Sequence, residues 1–321
     1  MGTAAHLVLH ADDEAVAAEA LDRAEGEARA IESRFSRFLD TSELSSLNAA
    51  DGSWFEASSE LRAVLALAQD LHRETAGLFD PAILPALERA GYDTSFEHVA
   101  PREEPLPAAR REGSFTVEIV GDRVRLGPGL RIDLGGIVKG WAADRIADDL
   151  AAHGPALVDL GGDCALRGDP PEGCWIVAIE RSDHAGLTGP VDPADAADAA
   201  QPGGEQLSLL GLGPGAVATS GTNRRRWRTS DRWSHHLIDP RTGASAATDL
   251  VQVTALHSSA AQAEVWAKAA LIAGGAAAMA LVERVPGLEL VIVPSVGTPL
   301  ASAGAVAAAV RGSRHGEVAR A

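Results

Sequence analysis

The chain has 321 residues, 46% of them hydrophobic and 23% charged, which is enough to bury a sizeable core. Its formal net charge of −17 excludes general nucleic-acid binding, which needs a cationic surface to displace phosphate counterions, and it disfavours an anionic membrane surface. The opening "MGTAAHLVLHADDEA" has no basic start, long apolar core or cleavage site, and Lys268 and Gly274-Gly275 interrupt the apolar stretch 265–282, so a soluble, cytoplasmic protein is expected.

"HLVLH" (6–10) alternates and predicts a strand. "DEAVAAEALDRAEGEARAIESRFSRF" (13–38) predicts a long amphipathic helix. "LDTSELSSLNAADGSW" reads as a loop with cap chemistry at Ser42 and Ser45, and with Asn48 before a turn. A second helix is expected over 58–76, then "GLFDPAILPAL", where Pro81 and Pro85 stiffen a bend. Residues 93–113 are polar and Pro-rich and predict a loop. "FTVEIVGDRVRLGPGLRIDLGG" predicts strand, turn, strand, turn and a third strand ending at Asp133. The helix "IVKGWAADRIADDLAAHG" follows, closed by Gly154.

"ALVDLGGDCALRGDPPEGCWIVAIE" returns to strands. Cys164 and Cys174 flank its turn without CxxC spacing or a Cys/His cluster, so two reduced, half-buried thiols are expected and not a zinc site. Residues 181–205 carry almost no large apolar side chains and predict a mobile loop between strands. Strands at "QLSLLGL", "GAVATS", "HHLIDP" and "DLVQVTAL", a long helix over 259–281 and a strand at "LELVIVP" complete the chain. Hairpins mixed with long helices predict an α+β fold with a mixed or antiparallel sheet packed by helices.

The densest chemistry is "RIDLGGIVKGWAAD" (131–144). Its glycines permit a sharp turn and close ligand approach, the helix start offers N–H groups, and Lys139 lies in the first turns. That suits a phosphate or pyrophosphate, and equally an ordinary strand-to-helix turn; it is neither GxGxxG nor a P-loop. In "VDLGGD" (158–163) Asp159 and Asp163 flank two glycines, with a β-bulge as the plainer reading. "TSGTNRRRWR" (219–228) is a basic run whose arginines suit a solvated loop or a phosphate. Ser220, His236 and Asp239 do not make a hydrolase triad, because there is no GxSxG elbow and His236 and Asp239 are too close along the chain.

In order, "SRFLDTSELSSLN", "GLFDP", "IDLGGIVKGWAAD", "LVDLGGD", "ATSGT", "HHLIDPRTG" and "AEVWAKAALIAGG" resemble the FAD:protein FMN transferase family, the ApbE-like flavin transferases, from Met1 to about Gly275. The resemblance implies one α+β domain over 1–321 with FAD in a cleft. It also implies Mg²⁺-assisted cleavage of the FAD pyrophosphate, transfer of FMN to a Thr or Ser of an acceptor flavoprotein, and release of AMP. Carried over by motif, the FAD contacts are Met1, Phe38, Leu78, Phe79, Asp80, Asp133, Lys139 and His236, with Phe38 where the family usually has Tyr or Trp. The metal position comprises the Gly136 carbonyl and the side chains of Glu264 and Lys268, and Asp133 or Asp239 would take the acceptor's proton.

"AEVWAKAAL" departs from the family pattern Ala-Asp-x-x-Ala/Asp-Thr, with Glu264 for Asp and Lys268 for Thr. A protonated Lys has no lone pair for a metal. Lys268 is therefore expected to bond Glu264 and face the pyrophosphate in the metal's stead. The plainer reading is an exposed i,i+4 ion pair. Three outcomes follow for the activity: flavin transfer, flavin binding with weak or no transfer, and FAD hydrolysis to FMN and AMP.

Overall fold

A computed structural model of the chain describes residues 3–100, 108–110, 113–180, 206–223, 225–229, 233–309 and 319–320. Met1 and the 181–205 segment lie outside the described residues. The centre is an eight-stranded sheet in the order Ala5–Leu9, Ala156–Leu160, Asp163–Arg167, Gly215–Gly221, Leu250–His257, Glu289–Pro294, Leu300–Ala301, Ala319–Arg320. Its described neighbours pair antiparallel except the last two, which run parallel.

Side chains alternate across a strand, and this sheet buries both faces. Ala216 and Ala218 face a core shared with the Glu14–Phe35, Val138–Ala151 and Ala260–Ala273 helices, while Val217 faces a second core with Ile179, Leu207 and Leu210 of the Trp175–Glu180/Gln206–Leu212 hairpin. The mixed sheet packed by helices is the architecture the sequence predicts. Among the described residues, no helix is long and apolar enough to cross a membrane.

Three local expectations change. The Ser42 region is not all loop: Ser42 accepts from the Ser45 N–H at 3.0 Å and caps a Glu43–Ala49 helix that buries Leu44 and Leu47. Residues 131–134 are not a strand. The Asn48 amide clamps Ile132 through both backbone groups, at 2.8 and 2.9 Å, and Asp133 N–H donates to the Pro81 carbonyl at 2.8 Å. The predicted 259–281 helix is two, Ala260–Ala273 and Gly275–Arg284, broken where Gly274 takes φ +87°. Cys164 and Cys174 are free thiols; Cys164 is buried, and desolvation pushes its thiol pKa well up.

Candidate functional site

Two helices build the base of the site by exchanging caps. Asp144, on the Val138–Ala151 helix, accepts from the Ala260 and Ala261 N–H groups at 2.9 and 3.0 Å and from Ser259 Oγ at 2.7 Å, at the start of the Ala260–Ala273 helix. Glu264, on that second helix, accepts from the Gly140 N–H at 2.8 Å, at the start of the first. Each carboxylate thus sits at the positive end of the other helix. The exchange needs near-contact of backbones, and a Cβ on Gly140 would lie 2.3 Å from the Ala260 carbonyl oxygen.

Lys139 lies beside this junction, 3.0 Å from Glu264 and ion-paired with Asp163. Asp163 is only 1% exposed, so the pair forms in low dielectric. Both oxygens of Glu264 are therefore engaged, one by Gly140 and one by Lys139.

Lys268 lies one turn beyond Glu264. The expected Glu264–Lys268 bond is absent, because Lys139 takes its place, and an exposed pair is excluded because the two residues are 5% and 8% exposed. Lys268 Nζ lies against Gly136, where a Cβ would come within 2.8 Å, and 5.9 Å from the centre of the Phe79 ring. Burial drives its pKa down, opposed by the charges of Asp133, Glu264 and Asp80 and reinforced by Lys139.

The rim comes from the helix end after Phe35. Arg37 holds Asp133 at 2.9 Å with both side chains largely buried. The same guanidinium stacks 4.1 Å from the Phe38 ring and 4.5 Å from Tyr92, leaving Phe38 38% exposed. Asp133 also accepts from the Gly135 N–H at 2.9 Å, which fixes the glycine turn. Asp80 caps the turn after Pro81 through the Ala82 N–H at 2.8 Å, and desolvation raises its pKa. Phe79 is buried beside it, and Leu78 is partly buried. His236 is half-buried with Nδ1 3.4 Å from the Arg225 carbonyl; desolvation, then the Arg225 and Lys268 charges, hold its pKa well below the usual value.

The motif residues Phe79, Asp80, Asp133, Gly136, Lys139, His236, Glu264 and Lys268 thus surround one cluster, with Phe38 at its rim. Asp239 stands apart, its carboxylate gripped by Arg241 at 2.8 to 3.1 Å. A cavity of about 380 Å³ opens on the far side of Asp80, lined by His72, Ser114 and Arg241; of the expected site residues it touches Asp80 alone.

The donor set does not fit a magnesium ion, which demands oxygen ligands in near-octahedral array. Lys268 brings an ammonium to the expected position, and Glu264 has no free oxygen. Among the described residues no group of three or more His, Cys, Asp and Glu is placed to hold a metal.

Arg37, Tyr92, Asp144 and Asp163 complete the site without having been named for it from the sequence. Asp163 had a signal in "VDLGGD". Arg37 had only its adjacency to Phe38, and its partner Asp133 is distant along the chain.

The ApbE family profile matches residues 1–292. A protein named FAD:protein FMN transferase in Rhodobacter capsulatus is 32% identical over 241 residues, 72% of this chain, and the match spans 42% of that longer protein. One of the same name in Vibrio cholerae is 29% identical over 270 residues, 81% of this chain and 76% of that one. Among solved structures, the ApbE protein of Thermotoga maritima matches with a TM-score of 0.79 at 23% identity over 97% of both chains. The flavin transferase ApbE of Vibrio cholerae matches with a TM-score of 0.72 at 24% identity over 96% of both. At these identities the solved structures establish a shared fold.

Proposed function

Because the chain belongs to the ApbE family, we propose that it binds FAD at the Lys268 cluster and transfers the FMN moiety to a Ser or Thr of an acceptor flavoprotein, releasing AMP. The observation that carries this reading is the convergence of two lysines, the Gly135-Gly136 turn, Asp133 and His236 beside the exposed Phe38 ring. Phe38 offers a flat apolar face to a flavin or adenine ring. The lysines offer positive charge to a pyrophosphate. The whole chain acts as one flavin transferase domain in the cytoplasm.

In the reaction the acceptor hydroxyl oxygen bonds to the FMN-side phosphorus. The bond from that phosphorus to the bridging oxygen breaks, and AMP leaves with that oxygen. The hydroxyl proton passes to a base. Both carboxylates are paired with an arginine, Asp133 with Arg37 and Asp239 with Arg241, and Asp133 is favoured for that step because it alone of the two belongs to the Lys268 cluster. Charge spreading over the phosphate oxygens is met by Lys139 and Lys268. Magnesium would add Lewis-acid polarisation, which this donor set is not built to hold.

A second reading, flavin holding without transfer, is favoured by Lys268 itself, since one ammonium activates a phosphate less than a divalent ion does. One experiment separates the readings. The full chain is incubated with FAD and a candidate acceptor flavoprotein. Flavin fluorescence that stays on the denatured acceptor, with AMP released, is the expected outcome. Free FMN and AMP with an unlabelled acceptor mean hydrolysis, and intact FAD that co-purifies means binding alone.

A further inference from the structure

Around Lys268 the neighbouring charges have partners of their own. Lys139 serves Asp163 and Glu264, Arg37 serves Asp133, and Asp80 receives the Ala82 and Phe115 N–H groups. Lys268 is 8% exposed and forms no hydrogen bond or ion pair with any described residue. The carboxylates of Asp133, Glu264 and Asp80 attract it through space without touching it. A buried ammonium left in that condition is costly, and a ligand anion would relieve the cost. Its Nζ is aimed at the glycine turn, and only the missing side chain of Gly136 lets it approach, since a Cβ there would stand 2.8 Å away.

We infer that Lys268 Nζ meets a phosphate oxygen of the bound ligand directly, so that this chain holds the FAD pyrophosphate without a divalent cation. The inference rests on the FAD reading above and adds to it the identity of the counter-charge. An ammonium supplies three N–H donors and one positive charge, enough for charge-assisted hydrogen bonds to a diphosphate. It supplies neither two charges nor open coordination positions, so tight binding is expected alongside slow transfer. The carboxylate that a metal would need is already spent. Glu264 caps one helix and anchors Lys139, and releasing it would leave the Gly140 N–H and Lys139 short of a partner.

The test is FAD binding by the intact chain, followed by calorimetry in excess EDTA and again in magnesium chloride, with inorganic pyrophosphate as a second probe. The dissociation constant for FAD is expected to agree within about twofold between the two buffers, a difference below half a kcal/mol. Lys268→Met, shown to be folded by its thermal melt, is expected to bind FAD and pyrophosphate about tenfold or more weakly in EDTA. FAD binding that vanishes in EDTA and returns with magnesium overturns the inference and leaves the FAD reading intact. A folded Lys268→Met chain that binds as tightly as wild type also overturns it. Pyrophosphate bound through Lys268 with no FAD bound in either buffer keeps the contact between Lys268 and a phosphate oxygen but overturns FAD as the ligand, and with it the FAD reading. If the Met variant does not fold, the EDTA comparison on the wild-type chain decides alone.

Discussion

Asp133 enters the site as half of a buried ion pair, and that changes what its neighbours must do. Arg37 is 6% exposed at its side chain and is packed against two neighbouring rings, Phe38 and Tyr92. Removing one member of such a pair leaves the other charge buried and uncompensated, at a cost of about 3–5 kcal/mol. Arg37→Met is expected to lower unfolding stability in urea by about that amount, and adding Asp133→Asn is expected to recover a large part of it. Equal stability of the single and double variants would show that Asp133, left without Arg37, is not a costly uncompensated charge. The motif "RIDLGG" announces Asp133 plainly, since a carboxylate before two glycines is a local pattern. Its cation was illegible, because nothing in "SRF" marks Arg37 as the residue that will face it. The reverse holds for Lys268. Its identity was conspicuous in the sequence, but the expected partner Glu264 was wrong because Lys139, reaching in from another helix, is better placed.

Among the elements, the helix pair Val138–Ala151 and Ala260–Ala273 explains why "GGIVKGWAAD" and "AEVWAKAAL" carry their charges. Asp144 and Glu264 are helix-interior residues whose carboxylates end the opposite helix. A third carboxylate, Asp249 in the bend before the Leu250–His257 strand, also caps a helix from a distant segment, accepting from the Gly275 N–H at 2.9 Å where the predicted single helix breaks. Periodicity located these helices to within a few residues, but it does not reveal a cap supplied by a different segment. Nor did it show the break at Gly274, because Ala-rich sequence continues on both sides. The contact is tightest at Gly140. Gly140→Ala would thrust a methyl group against the Ala260 backbone, which cannot rotate away as a side chain can. A loss of about 2–3 kcal/mol or more in chemical denaturation is expected, despite the better helix propensity of alanine. A neutral or stabilising result would mean that the helices lie further apart.

For the molecule as a whole, the sheet and its helical cover were readable from alternation and period, because burying both faces of a central sheet leaves a strong apolar signature. The response to acid was not readable in that way. His235 and His236 sit at the edge of the site where desolvation holds both imidazoles neutral, His235 down to about 4. The unfolded chain takes up a proton at His235 below about pH 6.5, while the native chain does not until near 4. Between those values the unfolded state binds more protons, so stability is complete above about 6.5 and is lost as pH falls toward 4. The loss from His235 amounts to about 3 kcal/mol at most. Melting temperature is expected to fall across this window, and His235→Gln should flatten part of the fall. Parallel curves for the two proteins would remove His235 as the cause.

The exchanged caps also bear on the order in which the chain assembles. The Asp144 bond to Ala260 closes a sequence separation of 116 residues, and the Glu264 bond to Gly140 closes 124. Contacts that distant in sequence form only after the intervening chain has been gathered in, and the entropy of gathering it is lost before the bonds return anything. Until then the Val138–Ala151 helix lacks any side-chain cap, and the Ala260–Ala273 helix has only its local Ser259 cap. The ends that shape the floor of the candidate site are therefore expected among the last parts of the chain to settle, and a nascent protein acquires this floor only once the Ala260–Ala273 helix has been made.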